Sequence, residues 1–195
     1  MQIKNPPQAL LADLISGDDI RAERAALLVA ASGEAALEAL RQLVTDPNAD
    51  HRWWAARTLS QIRSAASIQE LLPLLADQNA DVRACAVYAL GELQASSAVE
   101  TIAKLLIDSS VFVSAMASDA LARIGRSSVP ILIERLKQGE SLERARAARA
   151  LLAILDSRSI PALIAALDDD SPVVEHYASE ALTRLGIGTI LVKPQ

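Results

Sequence analysis

Hydrophobic and polar positions along this chain follow a helical rhythm, and that rhythm itself recurs. The clearest copy opens on Asp81-Val82-Arg83 and runs through small residues to Ala89-Leu90-Gly91. Its leucine returns as Leu28, Leu59, Leu90, Leu121, Leu151 and Leu182, at steps of 31, 31, 31, 30 and 31 residues. A fixed period in this range is the mark of a repeat array. Three residues after the Arg83 position stand Arg24, Ala55, Ala86, Ala117, Ala147 and Ala178; six after it stand Leu27, Thr58, Ala89, Ala120, Ala150 and Ala181. Small side chains there let neighbouring helices approach closely while the leucine column fills the space between them. The spacing predicts a first helix in each repeat, over 19–31, 50–62, 81–93, 112–124, 142–154 and 173–185.

A second helix follows in five of the repeats, read from an apolar triplet at spacings of three and four that falls on one stripe. The triplets are Leu37/Leu40/Val44, Ile68/Leu71/Leu75, Val99/Ile102/Leu106, Val129/Leu132/Leu136 and Ile160/Leu163/Leu167. Between repeats lie polar turns rich in helix-starting residues, such as Asp46-Pro47-Asn48, Asp77-Gln78-Asn79 and Asp169-Asp170-Ser171. The expected organisation is one repeat domain over 1–195: a cap helix at 5–15, then repeats at about 16–45, 46–76, 77–107, 108–137, 138–168 and 169–195. The last repeat lacks its second helix, and the tail after Gly186 is too short to supply one. If that tail leaves Leu182 and Leu185 uncovered, this end is a candidate surface for self-association.

Composition sharpens the picture. Half of the residues are apolar yet only 3% are aromatic, a mixture that favours helix because alanine and leucine lose little side-chain entropy there. A lone cysteine, Cys85, excludes an internal disulfide framework and suits a reducing compartment. No signal peptide is readable at the N-terminus, and the apolar runs fall far short of the ~20 residues that span a bilayer, so the expectation is a cytoplasmic protein away from membranes. The net charge of −5 argues against nucleic acid, whose binders carry basic patches that neutralise phosphates.

Asp-x-Arg followed by an alanine-rich helix and Leu-Gly resembles the short HEAT-like repeats of the phycobilisome (PBS) lyase type. The resemblance is clearest in Asp81-Val82-Arg83 with Ala89-Leu90-Gly91 and in Ile160-Pro161-Ala162-Leu163-Ile164, and it covers about residues 16–186. It implies an all-α, right-handed α-solenoid of about six two-helix repeats, with first helices outside and second helices lining a concave face. Members include bilin lyase subunits, phycobilisome-degradation factors and many bacterial scaffolds. The marker residues of tetratricopeptide and ankyrin arrays are missing. Such a motif specifies fold strongly and function weakly.

Candidate sites are departures from the frame. Asp19/Arg21, Asp50/Arg52 and Asp81/Arg83 read as a structural ladder, each arginine reaching a neighbouring repeat and each aspartate serving a helix N-terminus. That ladder fails at Phe112/Ser114 and Val173/Glu175 and is half kept at Leu142/Arg144, which marks repeats four to six as irregular: a bend or a specialised surface. Trp53 points away from the inward columns, with Arg57 and Tyr88 on the same outward side, a composition typical of interface hot spots. The alternative for this region is Trp54 packed between helices with Trp53 lying flat under Arg57. A concave face would carry the non-core positions of the second helices. Those positions, Glu38, Gln42, Thr45, Gln69, Pro73, Ala76, Glu100, Lys104, Ile107, Pro130, Glu134, Lys137, Pro161, Ala165 and Asp168, form a mixed, nearly neutral row that suits either a bound protein segment or an ordinary solvated face.

His51 and His176 stand four repeats apart, and no His-Glu dipeptide occurs, so no metal or cofactor is expected. Cys85 has no histidine near it in the repeat frame and reads as a packed or surface thiol. The cluster Arg135, Lys137, Arg144, Arg146 and Arg149 is interspersed with glutamates and reads as a salt-bridged surface. The leading expectation is a non-catalytic scaffold that binds a protein through the second-helix face, the Trp53 region, or both. A bilin-lyase-like, chromophore-handling subunit is the alternative. A HEAT-like DNA glycosylase is a third reading, against which the negative charge and the absence of an aromatic residue in the groove both count.

Overall fold

The computed structural model describes residues 8–187, and among them every regular element is helical. The cap helix α1 (Gln8–Leu14) precedes the first helices of the repeats: α2 (Asp19–Ala30), α4 (Ala49–Ile62), α6 (Ala80–Glu92), α8 (Val111–Ile124), α10 (Ser141–Ile154) and α12 (Pro172–Arg184). Second helices are α3 (Leu37–Val44), α5 (Ala65–Leu71), α7 (Val99–Lys104), α9 (Val129–Gln138) and α11 (Ile160–Ala165). The pattern thus places every first helix to within a residue of its observed start and end. The second helices are shorter than a continuous reading suggests. α5, α7 and α11 tighten into 3₁₀ turns over Leu72–Ala76, Leu105–Ile107 and Ala166–Asp168, which satisfies end carbonyls that an α-helix leaves open.

The described residues fall into two compact units, one up to Ala95 and one from Ser96, so that the division lies between the two helices of the third repeat. In the first unit α4 packs on both α2 and α6, with α3 and α5 against them. Its fully buried large side chains are Leu14, Leu40, Leu59, Leu71, Leu75 and Leu90. In the second unit α10 packs on α8 and α12, and Ile102, Leu106, Leu121, Leu132, Leu151 and Leu163 are fully buried. The alanine column Ala55, Ala86, Ala117, Ala147 and Ala178 has no exposed surface at all. At that column helices meet nearly backbone to backbone, and the leucines fill the adjoining gaps. Thr58 takes an alanine position and spends its hydroxyl on the Trp54 carbonyl one turn back, at 2.7 Å.

One register expectation is corrected. In α2 the columns do not hold: Leu28 is 55% and Leu27 56% exposed, and Arg24 is exposed as well. The buried stripe is Ala22, Ala25, Ala26 and Val29 instead, spaced as one helical face and turned by one residue. The partners differ here, since α2 packs against the lone cap helix α1 on one side and α4 on the other. At the other end Leu182 is buried and Leu185 is half-buried. Most of the tail expected to close this end, residues 188–195, lies outside the described residues, as do residues 5–7 of the expected cap.

Candidate partner-binding surfaces

The ladder is built from acids in the turns. Asp46, Asp77, Asp108 and Asp169 each accept the backbone N–H two residues on, at 2.8, 2.8, 2.8 and 2.9 Å, and so shape the turn. Asn48, Asn79 and Ser110 then cap α4, α6 and α8. Arg52 grips Asp77 with Nε at 2.6 Å and Nη2 at 2.8 Å, while its Nη1 donates to the carbonyls of Asp46 and Pro47. Arg144 repeats this on Asp169 at 2.7 and 2.9 Å, with Asp170 and the Gly139 carbonyl as further acceptors. Arg83 Nη1 binds the Asp77 and Gln78 carbonyls of its own turn, at 2.7 and 3.2 Å. Arg21 departs from the ladder and pairs with Asp13 in the cap helix.

Each bidentate rung spans 25 residues. At the same offset the fourth rung would join Ser114 to Gly139, so arginine and acceptor are missing together. Asp77 and Asp169 read in the sequence as turn residues, and their second role as rung acceptors shows only in the fold. Asp19, Asp50 and Asp81 lie in the first turns of α2, α4 and α6, favourable for the helix dipole, while the capping side chains are Asp18, Asn48 and Asn79.

The Arg52 guanidinium holds the Asp77 carboxyl below the usual carboxylate range, and Arg144 does the same for Asp169. Both groups are more acidic folded than unfolded. Their contribution to stability is therefore present above the unfolded value of about 4 and is lost as pH falls through the lower folded values. The melting temperature is expected to hold from neutral pH to about pH 5 and to drop below about pH 4. Asp77→Asn should flatten that drop in a thermal melt series; an unchanged acid limb would contradict this role.

The first unit also carries an open cleft of about 770 Å³, bordered by Trp53, Trp54, His51, Asp19, Asp50 and Asp81. Trp54 is buried and forms the inner wall; Trp53 is half-buried and meets it edge to face, ring centroids 4.8 Å apart at 88°. Trp53 is thus braced by an aromatic neighbour, while Arg57 donates to Glu23 at 2.8 Å. His51 Nδ1 stands 3.2 Å from Asp46, whose carboxyl is held low first by the Asn48 N–H and then by this histidine. Asp19, Asp50 and Asp81 are exposed on the cleft margin. Tyr88 is 39% exposed on α6. Cys85 Sγ lies 3.8 Å from the Trp53 carbonyl, and burial pushes the thiol up to about 12, so it is held as a neutral thiol.

Glu38, Gln42, Gln69, Glu100, Lys104 and Glu134 on the second helices, and Ile107 in the 3₁₀ turn after α7, are all exposed. Arg41 ties α3 to α5 in the first unit, reaching Glu38 at 2.8 Å and Glu70 at 2.7 Å. Much of the basic cluster is engaged internally. Arg149 binds Asp119 at 2.6 Å, Arg146 the Leu106 carbonyl at 2.5 Å, and Arg135 lies 3.5 Å from Glu143. Among the described residues no group of three or more His, Cys, Asp or Glu could hold a metal ion, and no helix is long and apolar enough to cross a membrane.

The comparisons with known proteins agree on the fold. YibA of Escherichia coli is similar in structure at a TM-score of 0.62 and 21% identity, covering 93% of this chain and 71% of that one. The CpcE–CpcF complex of phycocyanin lyase from Nostoc sp. PCC7120 is similar at 0.55 and 22% identity, over 95% and 80% of the two chains. A designed armadillo repeat protein in complex with the peptide (KR)4 is similar at 0.52 and 21%, over 91% and 98%. No curated protein matches by sequence. The PBS lyase HEAT-like repeat profile matches residues 143–169, and the HEAT-repeat profile matches residues 7–83 and 68–151. With the 31-residue frame, the buried alanine and leucine columns and these matches together, the chain belongs to the HEAT-repeat proteins.

Proposed function

We propose that this protein is a non-catalytic scaffold that binds a partner protein, with the Trp53 cleft as its principal contact and exposed positions on the second helices of each unit as further ones. The observation that carries this reading is the cleft. A half-buried tryptophan braced edge-on by a second one offers rigid apolar area at little entropic cost, the usual make-up of an interface hot spot. The carboxylates of Asp19, Asp50 and Asp81 around it favour a partner surface that brings lysine or arginine to the ring, where cation–π and charge attraction act together. In the second unit, Glu100, Lys104 and the exposed Ile107 suit a protein segment better than a polyanion.

Capture of partners by immobilised wild type, Trp53→Ala and Lys104→Glu tests both surfaces. Trp53→Ala is expected to weaken the main partner by roughly tenfold or more, as hot-spot truncations do. A partner set unchanged by both substitutions would contradict the assignment.

A second reading is supported by the PBS lyase HEAT-like match at 143–169 and by the likeness to the phycocyanin lyase complex. In it the protein handles a bilin chromophore as a lyase subunit. The raised Cys85 thiol counts against a covalent role for that residue. Titration with bilin decides this reading: an absorbance shift at micromolar protein would favour it over the scaffold, and an unchanged spectrum would end it.

A further inference from the structure

The position held by Asp19, Asp50 and Asp81 in the first three repeats is occupied by Phe112, Leu142 and Val173 in the last three. All three lie in the first turn of their helices and are exposed, at 61%, 57% and 50%. Val111, beside Phe112, is 75% exposed. Because α8 packs on α10 and α10 on α12, and packed helices lie roughly 8–10 Å apart, the three side chains form a row with a step of about 10 Å. A single exposed apolar residue is ordinary; the same departure from a polar frame in three consecutive repeats of one unit is a continuous apolar edge. Exposed carboxylates border it: Glu140 beside Leu142, Glu175 beside Val173, and Asp170, which pairs with Arg144. Lys137, in the last turn of α9, is an exposed cation nearby. With Arg144 and its acceptor Asp169 counted, four carboxylates face two cations, so the margin stays slightly acidic against the partial positive charge of three helix N-termini, about half a charge each.

From this arrangement we infer that Phe112, Leu142 and Val173 are a docking edge for an amphipathic helix of another protein. An α-helix advances about 10.5 Å in seven residues. A helix with leucine-sized side chains every seventh residue would match the row, and lysine or arginine beside them would meet Glu140, Asp170 and Glu175. This edge is independent of the Trp53 cleft, which lies in the other unit.

The test uses the whole chain and a synthetic helical peptide with leucine every seventh residue, lysines beside the leucines and alanine elsewhere, followed by fluorescence anisotropy. Wild type is expected to bind saturably, and more weakly as salt rises past the screening range. The triple variant Phe112→Ser, Leu142→Ser, Val173→Ser should bind about tenfold more weakly while keeping the wild-type circular dichroism and melting temperature. Should that variant lose helicity, Leu142→Ser alone is expected to weaken binding about threefold. Replacing the peptide lysines by glutamate should abolish binding, and Trp53→Ala should leave it unchanged. The proposal is overturned by failure of wild type to bind, by equal binding of the serine variants, or by loss of binding in Trp53→Ala. Sedimentation showing a wild-type dimer that the triple variant dissolves would also overturn it, by giving the edge to a second copy of this chain.

Discussion

Leu90→Ala is expected to lower the unfolding free energy by about 2–5 kcal/mol, the range for a fully buried leucine whose cavity cannot collapse. Leu90 has no exposed surface, and it sits on α6, which packs against α4. Its near neighbours along the helix, Ala86 and Ala89, are too small to fill the space and are held where the backbones meet. Because stability in a repeat array is a sum of neighbouring contacts, the loss should also make urea unfolding less cooperative, with a lower slope as well as an earlier midpoint. Leu28→Ala is the matched control. It occupies the same column in the sequence but is 55% exposed, so its cost should stay within about 0.5 kcal/mol. Equal effects at the two positions would mean that the packing register described for α2 is wrong.

Gly139→Ala is expected to be destabilising by about 1–3 kcal/mol, the usual cost of forcing a group into an occupied space. A Cβ at Gly139 would lie 2.6 Å from the Arg135 carbonyl oxygen and 2.8 Å from Glu143 Oε2. The glycine has an ordinary extended backbone, φ −73° and ψ 166°, so alanine there would otherwise stabilise by about 0.4–1 kcal/mol through the unfolded chain. The sign of the measured change therefore separates the two effects. The close approach has a local origin: α9 continues as α-helix to Gln138, whereas α5, α7 and α11 give way to 3₁₀ turns. This is also the turn at which the ladder acid is missing. An aspartate at Gly139 would meet the same carbonyl, so restoring the fourth rung would require this turn to shift. A stabilised Gly139→Ala protein in denaturant titrations would contradict this.

Much of the architecture is legible in the chain because the repeat frame averages six noisy copies of one pattern. The alanine column and Leu59, Leu90, Leu121 and Leu151 name their own burial, and the first-helix limits follow from turn residues such as Asn48 and Asn79. Two features are not legible for physical reasons. The rotation of α2 depends on what it packs against, and Arg24, Leu27 and Leu28 look like core positions only if the neighbour is a full repeat. The ladder acceptors Asp77 and Asp169 lie in turns whose acids also serve the local backbone, so their pairing with an arginine 25 residues earlier shows only in three dimensions. Of the candidate site, the oddity of Trp53 is plain from composition. Its bracing by Trp54 and the carboxylate margin from three repeats are not, since they need the fold to bring 19, 50 and 81 to one cleft.

The occupancy of that cleft can be read from Trp53 itself. In a Trp54→Phe variant, which keeps an aromatic wall, Trp53 is the only tryptophan in the chain. A partner recovered by capture on the wild type and then titrated into this variant should shift the emission maximum to the blue and protect the ring from acrylamide quenching, saturating at the stoichiometry of binding. Full binding with unchanged Trp53 emission and quenching would place the partner elsewhere and contradict the assignment of the cleft.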